Sequence, residues 1–255
     1  MARWNQDDIK NLYSKIDKFI DERTMDLHYN VLHKKYVDGL AKLESDLNKS
    51  IPLHVYLSKI YSTEFSLEVE KKELLIKNGG GHYNHTIFFQ TLTDKKIDFK
   101  EGNLKNDIIK NFGSFDEFVD VFVRKGSSVF GSGWCWLVRV TGNVKFSCFE
   151  DSYYKNLTLN IDRPTKLIEC SPGDLIIICT DKQESPIMYS DDLMICMGCD
   201  LFEHSYLNVF NANKVEYIYK WFKHLDWSLL ERIYTELVLV NKPLGITEAG
   251  KISLP

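Results

Sequence analysis

The apolar residues change period partway along this chain, and that change limits the folds open to it. Over residues 16–47 they fall at Ile16, Ile20, Leu27, Val31, Leu32, Val37, Leu40, Leu43 and Leu47, a broad helical stripe. Lys49-Ser50-Ile51-Pro52 closes it. A second helical run covers residues 54–91, and a third covers 106–125 with Ile108, Ile109, Phe112, Phe115, Phe118, Val121 and Phe122 on its apolar face. Then residues 134–140, 144–149, 175–180 and 193–199 turn β-branched and aromatic, which predicts strands. Thr141-Gly142-Asn143 has the composition of a hairpin turn. Ser171-Pro172-Gly173-Asp174 is a stronger turn, because proline fixes the first dihedral and glycine permits a positive one. Residues 215–234 return to helical spacing. Helices, a few strands, then helix give an α+β fold with a small antiparallel sheet.

With 255 residues, 44% of them hydrophobic, the chain can bury a sizeable core as one large or two small domains. A formal net charge of -4 argues against a nucleic-acid binder, which is usually basic on at least one face. No apolar run approaches the roughly 18 residues that span a bilayer, so no membrane partner is expected. The polar, acid-containing start resembles neither a signal nor a transit peptide. Six cysteines in the second half then read as buried thiols rather than disulfides. An intracellular protein is expected, cytoplasmic or, alternatively, in an organelle matrix.

Gly79-Gly80-Gly81 interrupts the second helical run, where each glycine costs about 1 kcal/mol relative to alanine. Something other than helix propensity requires them. Histidines sit among aromatic and apolar residues: His28 on the first stripe, His85 after the glycines, His204 in Asp200-Leu-Phe-Glu-His-Ser-Tyr. A buried neutral imidazole needs a partner for its acceptor nitrogen, and a metal is one such partner. Any one of them alone reads as a core histidine bonded to backbone. Together, three imidazoles and the Asp200 carboxylate form a nitrogen/oxygen set suited to Mn, Fe or Zn.

Four segments, in order, resemble the iron/manganese superoxide dismutases. They are Met25-Asp-Leu-His-Tyr followed by Tyr36-Val37; Gly79-Gly-Gly-His-Tyr-Asn-His-Thr-Ile-Phe-Phe89; Phe112-Gly-Ser-Phe115 with Phe130-Gly-Ser-Gly-Trp-Cys-Trp-Leu-Val138; and Asp200-Leu-Phe-Glu-His-Ser-Tyr206. The resemblance implies an N-terminal helical hairpin domain over residues 1–100 and a C-terminal α/β domain over 101–255. It implies a redox metal held by His28, His85, Asp200 and His204, alternating between two oxidation states as superoxide is converted to dioxygen and hydrogen peroxide. Gly81 and Gln183, the latter in Lys-Gln-Glu-Ser-Pro-Ile-Met, match the manganese-type pattern, so one Mn ion per subunit is expected, with Fe as the alternative. Gln183 would bond solvent on the metal and Tyr36 would bond Gln183 and relay protons. Trp134 and Trp136 would wall the site. Glu203 would reach the partner's metal-binding histidine in a homodimer or tetramer, with Phe130 and Ser132 near the two-fold axis. Lys214 stands where the family carries an arginine that steers superoxide.

The chain departs from that pattern at Leu32 and Leu207, where a histidine and tyrosine usually meet at the interface, and at Phe89 and Phe202, which replace tryptophans. Residues 144–180 exceed the family's short hairpin and predict an extra one. Residues 235–255 extend past its usual end. Two other readings exist: a non-enzymatic metal-binding or scaffold homologue, and a zinc or thiol-redox protein built on Cys196-Met-Gly-Cys199. Residues three apart on a strand face opposite ways, so that cysteine pair cannot chelate one ion. Cys196→Ser is therefore expected to leave metal content unchanged by elemental analysis; loss of metal would restore the thiol reading.

Overall fold

The computed structural model describes residues 3–7, 16, 19–63, 65–149 and 165–255, with backbone alone at 146–149 and 165–168. Helix α1 spans residues 22–41 in three consecutive pieces: Glu22–Asp26, a π-helical Leu27–His33, and Lys34–Ala41. Asp21 opens it by accepting from the Thr24 amide, which satisfies a first-turn N–H. It stops sooner than the apolar stripe predicts: residues 42–47 fold into turns that still bury Leu43 and Leu47. The predicted run 54–91 is two helices, α2 (Leu53–Ser58) and α3 (residues 69–90). Polar Ser62 and Thr63 lie in the break, where Ser62 N–H donates to the Lys59 carbonyl at 2.9 Å; such residues favour turns over helix.

Within α3, Val69–Leu74 leads into a π-helical Leu75–Gly80 and then Gly81–Gln90. Here the glycines are explained by close approach. A Cβ on Gly80 would lie 2.1 Å from the Gln183 carbonyl oxygen, and one on Gly81 would lie 2.5 Å from the Tyr36 ring. The helix gives up propensity so that α1 and the Gln183 loop can lie directly against it.

The predicted helix 106–125 is likewise two, α4 (Asn103–Phe112) and α5 (Phe115–Ser128). Gly113 takes φ +91°, and Ser114 caps α5 by accepting from the Glu117 amide at 3.1 Å. Three strands, β1 (Gly133–Val140), β4 (Leu175–Asp181) and β5 (Leu193–Asp200), form an antiparallel sheet in the order β4-β1-β5. Between them in sequence, β2 (Val144–Phe149) pairs with β3 (Thr165–Cys170). This pair spans 144–170 rather than the predicted 144–180, because residues 175–181 join the main sheet as β4; its connection, 150–164, lies outside the described residues. Thr141-Gly142-Asn143 is accordingly not a hairpin turn: β1 takes β4 and β5 as neighbours, and Thr141 N–H instead donates to the Asp192 carbonyl. Ser171–Asp174 is a turn, with Gly173 at φ +95°.

Helices α6 (Glu203–Phe210), α7 (Lys214–Phe222) and α8 (Trp227–Glu236) complete this half. The single helix predicted over 215–234 breaks because Asp226 caps α8, accepting from the Leu229 amide. In the tail, β6 (Gly245–Ile246) pairs with β7 (Ile252–Ser253) and lies along α3. Tyr83 donates its hydroxyl proton to the Leu244 carbonyl at 2.6 Å, and Gln90 bonds Gly250 and Ile252 backbone. The whole is a helical N-terminal domain with a C-terminal domain carrying small antiparallel sheets. Among the described residues, no helix is long and apolar enough to cross a membrane.

Gly81→Ala places a methyl group inside the Tyr36 ring contact. It is expected to cost about 1–3 kcal/mol, as overpacking does, read as a lower denaturant midpoint. An unchanged midpoint would show that the close approach is not required.

Candidate metal centre

Four elements bring the candidate side chains together. His28 lies in the π-helical part of α1, where i→i+5 bonding brings residues five apart onto one face, and His28, Tyr29 and His33 are all buried there. His85 stands one turn beyond Gly81 on α3. Asp200 ends β5 directly opposite Trp134 of β1. His204 follows in the first turn of α6, and between the two the Phe202 amide donates to Asp200 Oδ1 at 2.8 Å. That bond orients the carboxylate.

Asp200 Oδ2 is the point of convergence. His28 Nε2 lies 3.0 Å from it, His85 Nε2 3.4 Å and His204 Nε2 3.5 Å. One ligand atom from each residue falls within 4.8 Å of the others. Metal–nitrogen and metal–oxygen bonds are about 2.1 Å, so donors at 90° and 120° around one ion stand about 3.0 and 3.6 Å apart; these separations match. The protonation pattern agrees. His85 Nδ1–H donates to the Gly81 carbonyl at 2.7 Å, which leaves Nε2 as a bare acceptor. That lone pair faces a carboxylate oxygen, and a cation is needed between them. Neither His85 Nε2 nor His204 Nε2 has a hydrogen-bond partner, although both are buried. An unsatisfied buried polar atom costs about 1–3 kcal/mol, and a metal ion would satisfy both.

A proton is a poor substitute for that cation. Burial drives the His85 pKa down to about 3, against the pull of Asp200. Burial and the neighbouring His204 take His28 down to about 4. Burial raises the Asp200 carboxyl, but contacts with His204 and His28 outweigh it and hold the group well below the usual carboxylate range. An anionic carboxylate thus faces the neutral imidazoles of His28 and His85, with His204 beside them, and a nitrogen/oxygen set of this kind binds a first-row metal.

Around the centre, Gln183 Nε2 donates to Tyr36 Oη at 2.9 Å and Gln183 Oε1 accepts from Trp134 Nε1 at 3.1 Å. Burial, then the Asp200 charge, raises the Tyr36 phenol, with Gln183 opposing. Trp134 meets the His85 ring edge-on at 5.2 Å, and Phe89 meets His28 at 4.8 Å. Trp136 stacks behind Trp134 and donates to Thr180 Oγ1. Phe202 lies 5.3 Å from His204. Glu203 is exposed, and so is Leu207. Lys214 is half-buried: its Nζ donates to the Val129 carbonyl at 2.7 Å and sits over the Tyr206 ring. Cys196 and Cys199 bond different backbone carbonyls, those of Met194 and Asp200.

Sequence reasoning passed over three contributors. Asn84 Nδ2 donates to the Gln183 carbonyl at 3.1 Å, tying the residue before His85 to the Gln183 loop. His33 and His82 form a buried pair at 2.9 Å, and His33 stacks on His85. Both histidines and Asn84 lie inside the matching motifs, so their signal was position within a dense polar cluster rather than a spacing rule.

Buried histidines whose pKa falls on folding bind fewer protons native than unfolded. Stability is then full above about pH 6.5 and is lost as pH falls toward 4. For His28 alone that is about 3 kcal/mol at 1.36 kcal/mol per unit. Denaturation of metal-free protein from pH 7 to 4 reads it directly, and a flat profile would contradict neutral burial.

The family model for iron/manganese superoxide dismutases, alpha-hairpin domain, matches residues 6–93. The model for their C-terminal domain matches residues 100–164 and 165–233. Among known proteins, the chain is 27% identical over 242 residues to a superoxide dismutase (Mn) of Acinetobacter baylyi, covering 93% of this chain and 90% of that one. It is 29% identical over 221 residues to one of Listeria monocytogenes, covering 85% and 90%. It is 27% identical over 227 residues to superoxide dismutase (Mn) 1 of Leptolyngbya boryana, covering 88% and 77%. The chain belongs to the iron/manganese superoxide dismutases, and so to the oxidoreductases.

Proposed function

We propose that this superoxide dismutase converts superoxide to dioxygen and hydrogen peroxide on one manganese ion per subunit, with iron as the alternative metal. The ligands are His28, His85 and His204 through Nε2 and Asp200 through Oδ2. The observation that carries this reading is the bare His85 Nε2 facing the Asp200 carboxylate at 3.4 Å, both side chains fully buried. The metal, when bound, supplies the one-electron chemistry; the chain's residues supply everything else. Gln183, with one amide N–H on Tyr36, keeps the second for solvent at the centre. Tyr36, its phenol held protonated, passes protons toward the anionic product. Trp134, Phe89 and Phe202 exclude bulk water, which keeps these bonds strong. The place of Gln183 and Gly81 supports manganese.

Lys214 contributes positive charge beside Glu203, although its bond to Val129 makes it a fixed rather than a roving one. A homodimer is supported by exposed apolar groups, among them Phe130 at 99% exposure and Leu207 at 44%. Glu203 then reaches the partner subunit's metal-binding histidine. Cys135, Cys179, Cys196 and Cys199 are buried free thiols, which supports a reducing, cytoplasmic setting.

Purified protein is expected to carry manganese or iron and to consume superoxide. His204→Ala is expected to lose the metal on dialysis; normal stoichiometry in that variant would overturn the ligand set. Gln183→Ala is expected to keep the metal and lose about 10–100-fold in turnover, as partners of metal ligands do. Identical kinetics would remove Gln183 from the mechanism.

A further inference from the structure

Gln183 reaches the centre from a tight turn after β4. Lys182 in that turn takes φ +48°, the left-handed region that disfavours a residue with a side chain. The turn must therefore be held by contacts outside itself. From within, Asn84 donates to the Gln183 and Glu184 carbonyls, and Thr180 Oγ1 donates to the Glu184 carbonyl at 2.8 Å. From outside, the Glu184 carboxylate accepts two phenols. Tyr61 Oη donates to Oε1 at 3.0 Å, and Tyr189 Oη donates to Oε2. Their rings stand 6.1 Å apart. Burial, then the Glu184 charge, raises both phenols, so both remain donors. Tyr61 lies in the connection between α2 and α3, and Lys59 of the same connection pairs with Asp191 at 2.6 Å. One carboxylate with two hydroxyl donors makes charge-assisted bonds, stronger than neutral ones.

We propose that Tyr61 and Tyr189 are positioning residues that, through Glu184, fix how far the Gln183 amide stands from the metal centre. This rests on the role given to Gln183 above. Gln183 points inward and is buried, while its neighbour Glu184 points outward, so the two side chains hang from opposite sides of one strained turn. Releasing the outer side lets the turn relax about Lys182. Relaxation withdraws Gln183 from Trp134 and Tyr36, the two groups that now hold its amide.

The test is the Tyr61→Phe/Tyr189→Phe double variant, metal-loaded, which keeps both rings and removes both hydroxyls. The readouts are the midpoint potential of the bound metal and the pH at which its visible absorption titrates. The potential is expected to move in the direction set by Gln183→Ala. The expected size is about tenfold in the ratio of oxidised to reduced metal, or about 60 mV for one electron. Tyr61→Phe alone gives an intermediate shift. Tyr219→Phe removes a phenol–carboxylate bond of the same kind, to Asp120 at 2.6 Å on α7 and α5, and leaves the potential unchanged. If Gln183→Ala moves the potential and the double variant does not, the positioning role is overturned and the role of Gln183 stands. If Gln183→Ala itself moves nothing, the role of Gln183 falls and the positioning role falls with it. Should the double variant not fold, Glu184→Gln removes the charged acceptor and is read in the same way, against the same Gln183→Ala reference.

Discussion

A lone pair on His85 Nε2 and a carboxylate oxygen of Asp200 face each other at 3.4 Å, both side chains fully buried. Unaided, that contact is repulsive, and a cation between the two atoms makes it attractive. The Gly81 carbonyl enforces the arrangement by taking the only imidazole proton on the other ring nitrogen. Burial, which keeps a proton off the ring, also makes the site costly when empty. Much of the architecture follows from holding these atoms together.

Three helices and one strand end meet there. The helices that carry His28 and His85 each contain a π-helical stretch, Leu27–His33 and Leu75–Gly80. Such stretches are frequent at functional sites because they re-aim side chains at a cost in backbone regularity. In α1 the π turn puts His28 and His33 on a common face with Tyr36 one further turn along. In α3 it ends at the glycines that admit Gln183 and Tyr36. The sheet does the rest. Thr180, Trp134 and Asp200 stand side by side across its three strands, so Trp134, which bonds Gln183, and the candidate ligand Asp200 share one face. On the opposite face Cys179, Cys135 and Cys199 fill the core against α5, where burial raises the Cys135 and Cys199 thiols.

The four candidate ligands were legible in the sequence because each sits in a short, dense motif. The sheet was legible because β-branched and aromatic runs differ so clearly from helical stripes. Other features were not, for physical reasons. Helix breaks at Gly113-Ser114 and Asp226 are decided by single caps, while apolar spacing runs on through them. The Thr141–Asn143 connection resembles a hairpin turn in composition, but pairing is decided by partners distant in sequence, here β4 and β5. π-helical turns leave no mark on apolar spacing. Lys214 reads as a solvated cation until the Val129 carbonyl is seen to hold it. The Tyr61–Glu184–Tyr189 contact joins residues more than 120 positions apart, with no motif to announce it.

Of the departures at Leu32 and Leu207, the second is exposed and the first half-buried. The central claim stands or falls on one ion at one place. Crystals of the manganese-loaded protein, measured with X-rays just above the manganese absorption edge, test it most directly. A single anomalous peak is expected within bonding distance of His28, His85 and His204 Nε2 and Asp200 Oδ2. A folded protein with no peak there, or with its metal bound elsewhere, would contradict it.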